Sequence, residues 1–283
     1  MKKMKLNIDD NTVAGFGDEW SRFDQSDLST KEHDEIFQKY FEIFPFESLS
    51  KKSVGFDMGC GSGRWAKLVC PRVGKLHCID PSSALEVAKK NLSMFKTCEF
   101  HSAAVGDEIL PPKSMDFGYS LGVLHHVPDT PRAICDCVNM LKPGAPFLIY
   151  LYYALDNKPL LYKSLWKLSN LFRLLISRFP HGMRFWASQI IALLIYFPLA
   201  RLSSTLEKFG CSKVIIDKIP LHFYRNLSFY TMRTDALDRF GTRLEKRFSK
   251  EEIFDMLTDA GLVNIKFSDR EPFWCAIGTR KGD

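Results

Sequence analysis

The stretch Val54–Trp65, "VGFDMGCGSGRW", constrains this chain more than any other. A short apolar run ends at Asp57, and Gly59, Gly61 and Gly63 then occupy alternate positions. Glycines at that density let the backbone turn sharply and approach a bound group with no Cβ in the way. The surrounding pattern places the turn. "SVGFDM", "KLHCID", "CEFHSAA", "SMDFGYSL" and "APFLIYLYY" read as strands. "RWAKLVC", "SALEVAKKNLSMF" and "PRAICDCVNMLK" read as the helices between them. Strands alternating with helices predict an α/β domain whose parallel sheet is covered on both faces. A glycine turn leaving the first strand then falls at the carboxyl rim, where open α/β sheets hold their ligands.

Spacing narrows the ligand. A phosphate-binding P-loop needs a Lys-Ser/Thr pair after its last glycine, and Arg64-Trp65 stand there instead. The dinucleotide fingerprint is G-x-G-x-x-G, whereas this turn is G-x-G-x-G. Asp57, just ahead of it, would repel a pyrophosphate and suits a ligand carrying positive charge.

Asp57, Gly59, Cys60, Gly61 and Gly63 together resemble motif I, D-x-G-C-G-x-G, of the class I S-adenosylmethionine-dependent methyltransferases of small-molecule type. Three further stretches carry the resemblance: "CIDPS" with Asp80, "SMDFGYSLGVLHHV" with Asp116, Leu121 and His125-His126, and "MLKPGAPFLI" with a Pro143-Gly144 turn. It covers about residues 50–151 and 249–280. It implies a doubly wound, mostly parallel seven-stranded Rossmann-like sheet, with the last strand antiparallel and S-adenosylmethionine as cofactor. The motif I residues and Asp80 would hold that cofactor, Asp80 through the ribose hydroxyls. Leu121 would lie near its adenosine or methionine end. Relatives often carry an acidic residue after strand three for the adenine; here Ala104-Val105 through their backbone, or Asp107, would meet it. Trp20, in "FGDEWSRFDQ", would close over the cofactor, with packing of its helix on the core as the rival reading.

Methyl transfer from a sulfonium is an in-line displacement with a good leaving group, so positioning and exclusion of water come first. His125 and His126, just past strand four, are the candidate general bases, or else one of them ties loops together.

The α/β pattern breaks from Ala154 to Phe248, which predicts three regions: an N-terminal helical cap over 1–50, a cofactor-binding core over 51–153 and 249–283, and a mainly helical insertion over 154–248 forming an acceptor lid. The core resumes with "SKEEIFDMLTDAG", where Ser249 is the expected N-cap, Glu252 its capping-box partner and Gly261 the C-cap. Residues 157–206 hold no Asp or Glu but seven Lys or Arg, among them Lys158, Lys163, Lys167, Arg173, Arg178 and Arg184, interleaved with Leu, Trp and Phe. Such a segment can lie on a membrane surface, grip an apolar acceptor with an acidic head, or form a lid with solvated charges. In "HFYRNLSFYTMRTDALDRF", Tyr224, Arg225, Tyr230 and Arg233 are candidates for an acceptor-binding wall, and structural packing is the rival.

The 283 residues are 46% hydrophobic and 25% charged with net charge +6, an ordinary globular balance. No C-x-x-C pair or His/Cys cluster predicts a metal site, and the eight cysteines read as reduced structural thiols. Basic residues mixed into apolar helices, with no recognisable module, argue against nucleic acid. The N-terminus lacks an apolar signal core, and the run Ala187–Ala200 is short and broken by Pro198, so neither signal peptide nor spanning helix is expected. The expectation is a cytoplasmic, optionally membrane-peripheral methyltransferase acting on a small-molecule or lipid-linked acceptor, with oligomeric state open. A nicotinamide-dependent oxidoreductase and a non-catalytic cofactor-binding scaffold on the same fold are the alternatives.

Overall fold

A computed structural model describes residues 7–156 and 159–282; Lys158, one of the seven basic residues noted above, lies outside them. In chain order the elements are α1 (Asp10–Arg22), α2 (Thr30–Tyr40), β1 (Val54–Met58), α3 (Ala66–Val69), β2 (Lys75–Ile79) and α4 (Ala84–Asn91). There follow β3 (Cys98–His101), β4 (Phe117–Leu121), α5 (Thr130–Met140) and β5 (Pro146–Tyr150). A helical stretch holds α6 (Leu160–Ile176), α7 (His181–Ile191), α8 (Phe197–Lys208), α9 (Lys213–Ile216) and α10 (Phe229–Gly241). The chain closes with α11 (Lys250–Asp259), β6 (Leu262–Phe267) and β7 (Cys275–Arg280).

The strands form one seven-stranded sheet in the order β3-β2-β1-β4-β5-β7-β6. All neighbours run parallel except β7, which is antiparallel to β5 and β6. This is the sheet the sequence resemblance implied. Every residue of β4 is buried, as expected of a central strand covered on both faces. One face is filled by Phe56, Ile79, Phe147 and Ile149 from the strands against Ile134 and Val138 of α5 and Leu257 of α11.

The β1–β4 register pairs glycine with phenylalanine twice, Gly55 with Phe117 and Phe56 with Gly118. A Cβ on Gly118 would stand 2.2 Å from the Phe56 ring, and one on Gly55 would stand 2.4 Å from the Phe117 ring. Each ring thus lies where its partner has no side chain, which lets two large apolar groups pack flat at the centre of the sheet. α11 begins as the sequence predicts: Ser249 accepts from the Glu252 amide and the Glu252 side chain accepts from the Ser249 amide. Gly261 follows at φ +87°, the left-handed position that ends the helix.

The chain divides into two compact units. The α/β unit comprises Asp34–Asp156 and Leu244–Asp283 with the residues up to Gln25. The helical unit comprises Asn157–Arg243 together with Ser26–His33. The N-terminal fifty residues are therefore shared between the two units. In the helical unit, Ile176, Tyr196 and Ala200 pack against Met232, Ala236 and Phe240 of α10. Glu32 accepts hydrogen bonds from Ser228 and Thr231 at the start of α10.

Two expectations are corrected. Pro198 does not interrupt the apolar run. A π-helical turn, Ala192–Tyr196, joins α7 to α8, giving one helix from His181 to Lys208. Pro198 falls in the first turn of α8, directly after the widened turn, where a missing N–H is tolerated. Nor are all cysteines free thiols: Cys70 and Cys98 are joined as a disulfide, because the end of α3 and the start of β3 bring their Cα atoms to 6.7 Å. The other six are free.

Candidate active site

Asp57 lies one residue before the end of β1 and is completely buried. Neither carboxylate oxygen has a hydrogen-bond partner among the described residues. Burial pushes its pKa from 3.8 up to about 8; the nearby Tyr119 hydroxyl works against that, and the Asp80 charge adds to it. Tyr119 stands opposite Asp57 in the β1–β4 register, a neighbour that only strand pairing discloses. A cationic partner would favour the ionised form of such a buried carboxyl and satisfy its oxygens.

The glycine turn follows. Gly59, Gly61 and Gly63 have φ of +79°, +52° and +78°, so a side-chain-bearing residue at any of them would be strained. Both Gly59 and Cys60 amides donate to the Ile79 carbonyl at the end of β2, at 2.8 and 3.1 Å. The Gly61 amide donates to Oδ2 of Asp80 at 2.9 Å. The other oxygen of Asp80 accepts from the Ser82 hydroxyl and amide. Burial raises the Asp80 pKa, and these Ser82 and Gly61 hydrogen bonds oppose the rise. Asp57 and Asp80 thus reach the same rim from adjacent strands, and Asp80 also shapes the turn.

The remaining predicted cofactor residues lie on three further elements. The indole nitrogen of Trp20, on α1, lies 3.0 Å from where a Gly61 Cβ would be. Leu121 ends β4 and is buried; the next residue, Gly122, has φ +79° and open space where its Cβ would point. Ala104 and Val105 are buried after β3. There Asp107 accepts from the Ala104 amide at 2.8 Å, so its carboxylate already closes a turn.

His125 and His126 sit in a 3-10 turn after β4. The His125 ring is 0% exposed and lies 3.9 Å, centroid to centroid, from both His126 and Tyr152. Neither of its nitrogens has a hydrogen-bond partner among the described residues. Burial holds its pKa well below 6.5, with electrostatic interactions from His126 and Arg247 adding to the effect. A base needs the opposite tuning, so the structure leaves His125 neutral but weakly basic. His126 Nδ1 contacts the Leu244 carbonyl at 2.6 Å, and the Lys246 amide donates to the His125 carbonyl. The His126 ring and the His125 backbone thus hold the turn to residues 244–246.

Residues 56–149 match the family model of the methyltransferase domain. That stretch, less than half of the chain, is thus similar to a methyltransferase domain. The fold agrees with solved methyltransferases. A chain from the complex of the Haloferax volcanii Trm112 methyltransferase activator with a methyltransferase aligns at TM-score 0.54 and 13% identity, over 94% of this chain and 97% of that one. A Thermotoga maritima S-adenosylmethionine-dependent methyltransferase aligns at 0.50 and 14%, over 94% and 100%. A Burkholderia thailandensis O-methyltransferase family protein aligns at 0.51 and 14%, over 93% and 63%. No curated protein gives a significant sequence match.

The rim of the sheet fits S-adenosylmethionine chemically. S-adenosylmethionine carries an ammonium and a sulfonium, and the rim offers an unpaired buried carboxylate beside a turn of bare backbone. The candidate acceptor residues belong to the helical unit. Tyr224 packs on Tyr196, with ring centroids 5.3 Å apart. Arg225 pairs with Glu207 at 3.0 Å, and Arg233 donates to Gln189. Tyr230 lies one turn before Arg233 on α10. Each of the first three therefore has a structural contact within its own unit. The sheet also gathers a group that sequence spacing hides. His77, Glu99 and His101, on β2 and β3, have ligand atoms within 4.8 Å of one another. The two rings are hydrogen-bonded to each other and Lys75 pairs with Glu99, so their donors are already engaged.

Proposed function

We propose that this chain moves a methyl group from S-adenosylmethionine to a small organic or lipid-linked acceptor by in-line displacement. The observation that carries this reading is Asp57: a fully buried carboxyl with two unpaired oxygens, near the end of β1 and against the glycine turn. In this reading Asp57 faces the positively charged methionine end. Asp80 takes the ribose hydroxyls while keeping Gly61 in place. Leu121, Ala104 and Val105 supply an apolar wall for the adenosine, and Trp20 covers the turn.

S-adenosylmethionine supplies an electrophilic methyl on a good leaving group. The protein's part is to orient the acceptor and keep water out. The weak basicity of His125 supports a transfer that depends on placement rather than on proton removal by that ring. The turn of His125 and His126 then acts as a rigid support next to β4. Tyr224, Arg225, Tyr230 and Arg233 belong to the same proposal as acceptor-binding residues, with Tyr230 and Arg233 favoured because both lie on α10.

Calorimetry with S-adenosylmethionine, S-adenosylhomocysteine and NAD tests the cofactor assignment. Binding of the first two and not the third is expected, and tight NAD binding alone would overturn it. Incubation of cell extract with methyl-labelled cofactor, read by mass spectrometry, identifies the acceptor. Failure of the full chain to release S-adenosylhomocysteine from any extract would leave a scaffold rather than an enzyme.

A further inference from the structure

The helical unit buries several polar side chains beside its apolar core and leaves many large apolar groups exposed. Along α7, the π-helical turn and the start of α8, the exposed positions Met183, Trp186, Ile190, Leu193, Leu194 and Phe197 recur at helical spacing and form one outward stripe. On α6, Leu168, Leu171 and Leu175 do the same. Trp186 is 67% exposed. The buried sides carry Arg173, Ser177, Arg184, Ser188, Gln189 and Ser203. Arg184 donates to the Gly241 carbonyl at 2.8 Å and Arg173 to the Thr242 carbonyl at 2.9 Å. Those guanidinium groups therefore cap the C-terminal end of α10, where cations and donors are favoured. Water-facing helices show the reverse arrangement, and an apolar face of this extent on a soluble surface marks a docking site.

We propose that α6 and the continuous α7–α8 helix dock onto an anionic lipid bilayer, lying in its interfacial layer. Charge selects the occupant. Residues 157–206 contain no acidic group, and Lys167 and Arg178 are exposed on and just after α6. Anionic headgroups complement that charge, whereas a second copy of the chain would bring like charges together. Trp186 at the surface suits the headgroup level, where indoles concentrate. The 28-residue helix His181–Lys208 is long and apolar enough to cross a bilayer, but its other face excludes that geometry. It packs on α10, which carries Asp235, Asp238 and Arg239, and Arg225 pairs with Glu207 near the end of α8. These groups need water, so the helix lies along the surface with its stripe about 5–10 Å deep.

Co-sedimentation of the full chain with phosphatidylcholine vesicles, with and without phosphatidylglycerol, tests this. The protein is expected to pellet with the anionic vesicles and less so as salt rises. Brominated lipid should quench its fluorescence, by an amount reduced in Trp186→Phe. The pair Trp186→Glu and Leu194→Glu should weaken vesicle binding at least about tenfold, with circular dichroism and S-adenosylmethionine affinity unchanged. No pelleting with anionic vesicles would overturn the proposal, as would pelleting that the glutamate pair leaves unaltered. A dimer in vesicle-free buffer that the glutamate pair dissociates, without vesicle binding, would assign the face to a second copy instead. The readout is independent of methyl transfer, so either proposal can fail alone.

Discussion

The Gly61 amide donates to Oδ2 of Asp80 at 2.9 Å, tying the glycine turn after β1 to the end of β2. Asp80 is thereby both a candidate cofactor ligand and a structural acceptor for Gly61 and Ser82. Asp80→Ala leaves those buried donors unpaired, at a cost of about 1–3 kcal/mol each before relaxation. The expected outcome is a lower melting temperature together with S-adenosylmethionine binding weakened at least about tenfold, the equivalent of 1.4 kcal/mol. Calorimetry and thermal melts on the same variant check both, and unchanged affinity would remove Asp80 from the cofactor site.

Asp57 makes stability and binding depend on pH in opposite ways. Its pKa in the fold is about 8, against 3.8 for an ordinary carboxyl. Between those values the native state holds a proton that the unfolded chain has lost, so its contribution to stability falls as pH rises from about 4 to about 8. A cationic ligand needs the ionised form, so binding below pH 8 releases a proton and affinity rises with pH until about 8. Calorimetry in buffers of different ionisation enthalpy detects that proton. Asp57→Asn should abolish its release and flatten the matching part of the stability profile.

His125 has the opposite sign. Its pKa in the fold lies well below 6.5, so on acidification the unfolded chain gains a proton that the native state refuses. Stability is expected to fall as pH drops through 6.5. His125→Ala opens a cavity between His126 and Tyr152 and should cost about 2–4 kcal/mol in urea denaturation at pH 7. A rate profile with no inflection from this ring near 6.5 would accompany it, and an inflection that His125→Ala removes would restore it as a base.

The Trp20 indole nitrogen lies 3.0 Å from where a Cβ on Gly61 would be. If it covers the cofactor, Trp20→Ala should weaken S-adenosylmethionine binding about tenfold while Trp20→Phe retains most of it, because stacking area is the larger contribution. Equal affinity in all three proteins would make the residue a packing group.

Gly118 faces the Phe56 ring across β1 and β4. Gly118→Ala puts a methyl group into that ring, in a strand without slack, and should destabilise the protein by about 2 kcal/mol or more. Chemical denaturation measures this, and a neutral result would mean that the ring can swing aside.

Local chemistry in the chain was enough for the sheet and the rim. Apolar runs alternating with helical periods dictate a covered parallel sheet, and Gly59, Gly61 and Gly63 need a left-handed backbone whatever surrounds them. The capping box at Ser249 and Glu252 is equally local. Strand register is not local, and it decided that Tyr119 faces Asp57 and that Phe56 fits over Gly118. Burial is not local either: an imidazole that titrates near neutrality in water becomes a weak base once His125 is enclosed by Tyr152 and His126. The same holds for the helical unit. Its sequence announces basic and apolar residues at helical spacing, but a periodic pattern does not say which face turns inward. Only packing against α10 placed Arg173 and Arg184 inside, on backbone carbonyls, and left Trp186 and its neighbours facing out.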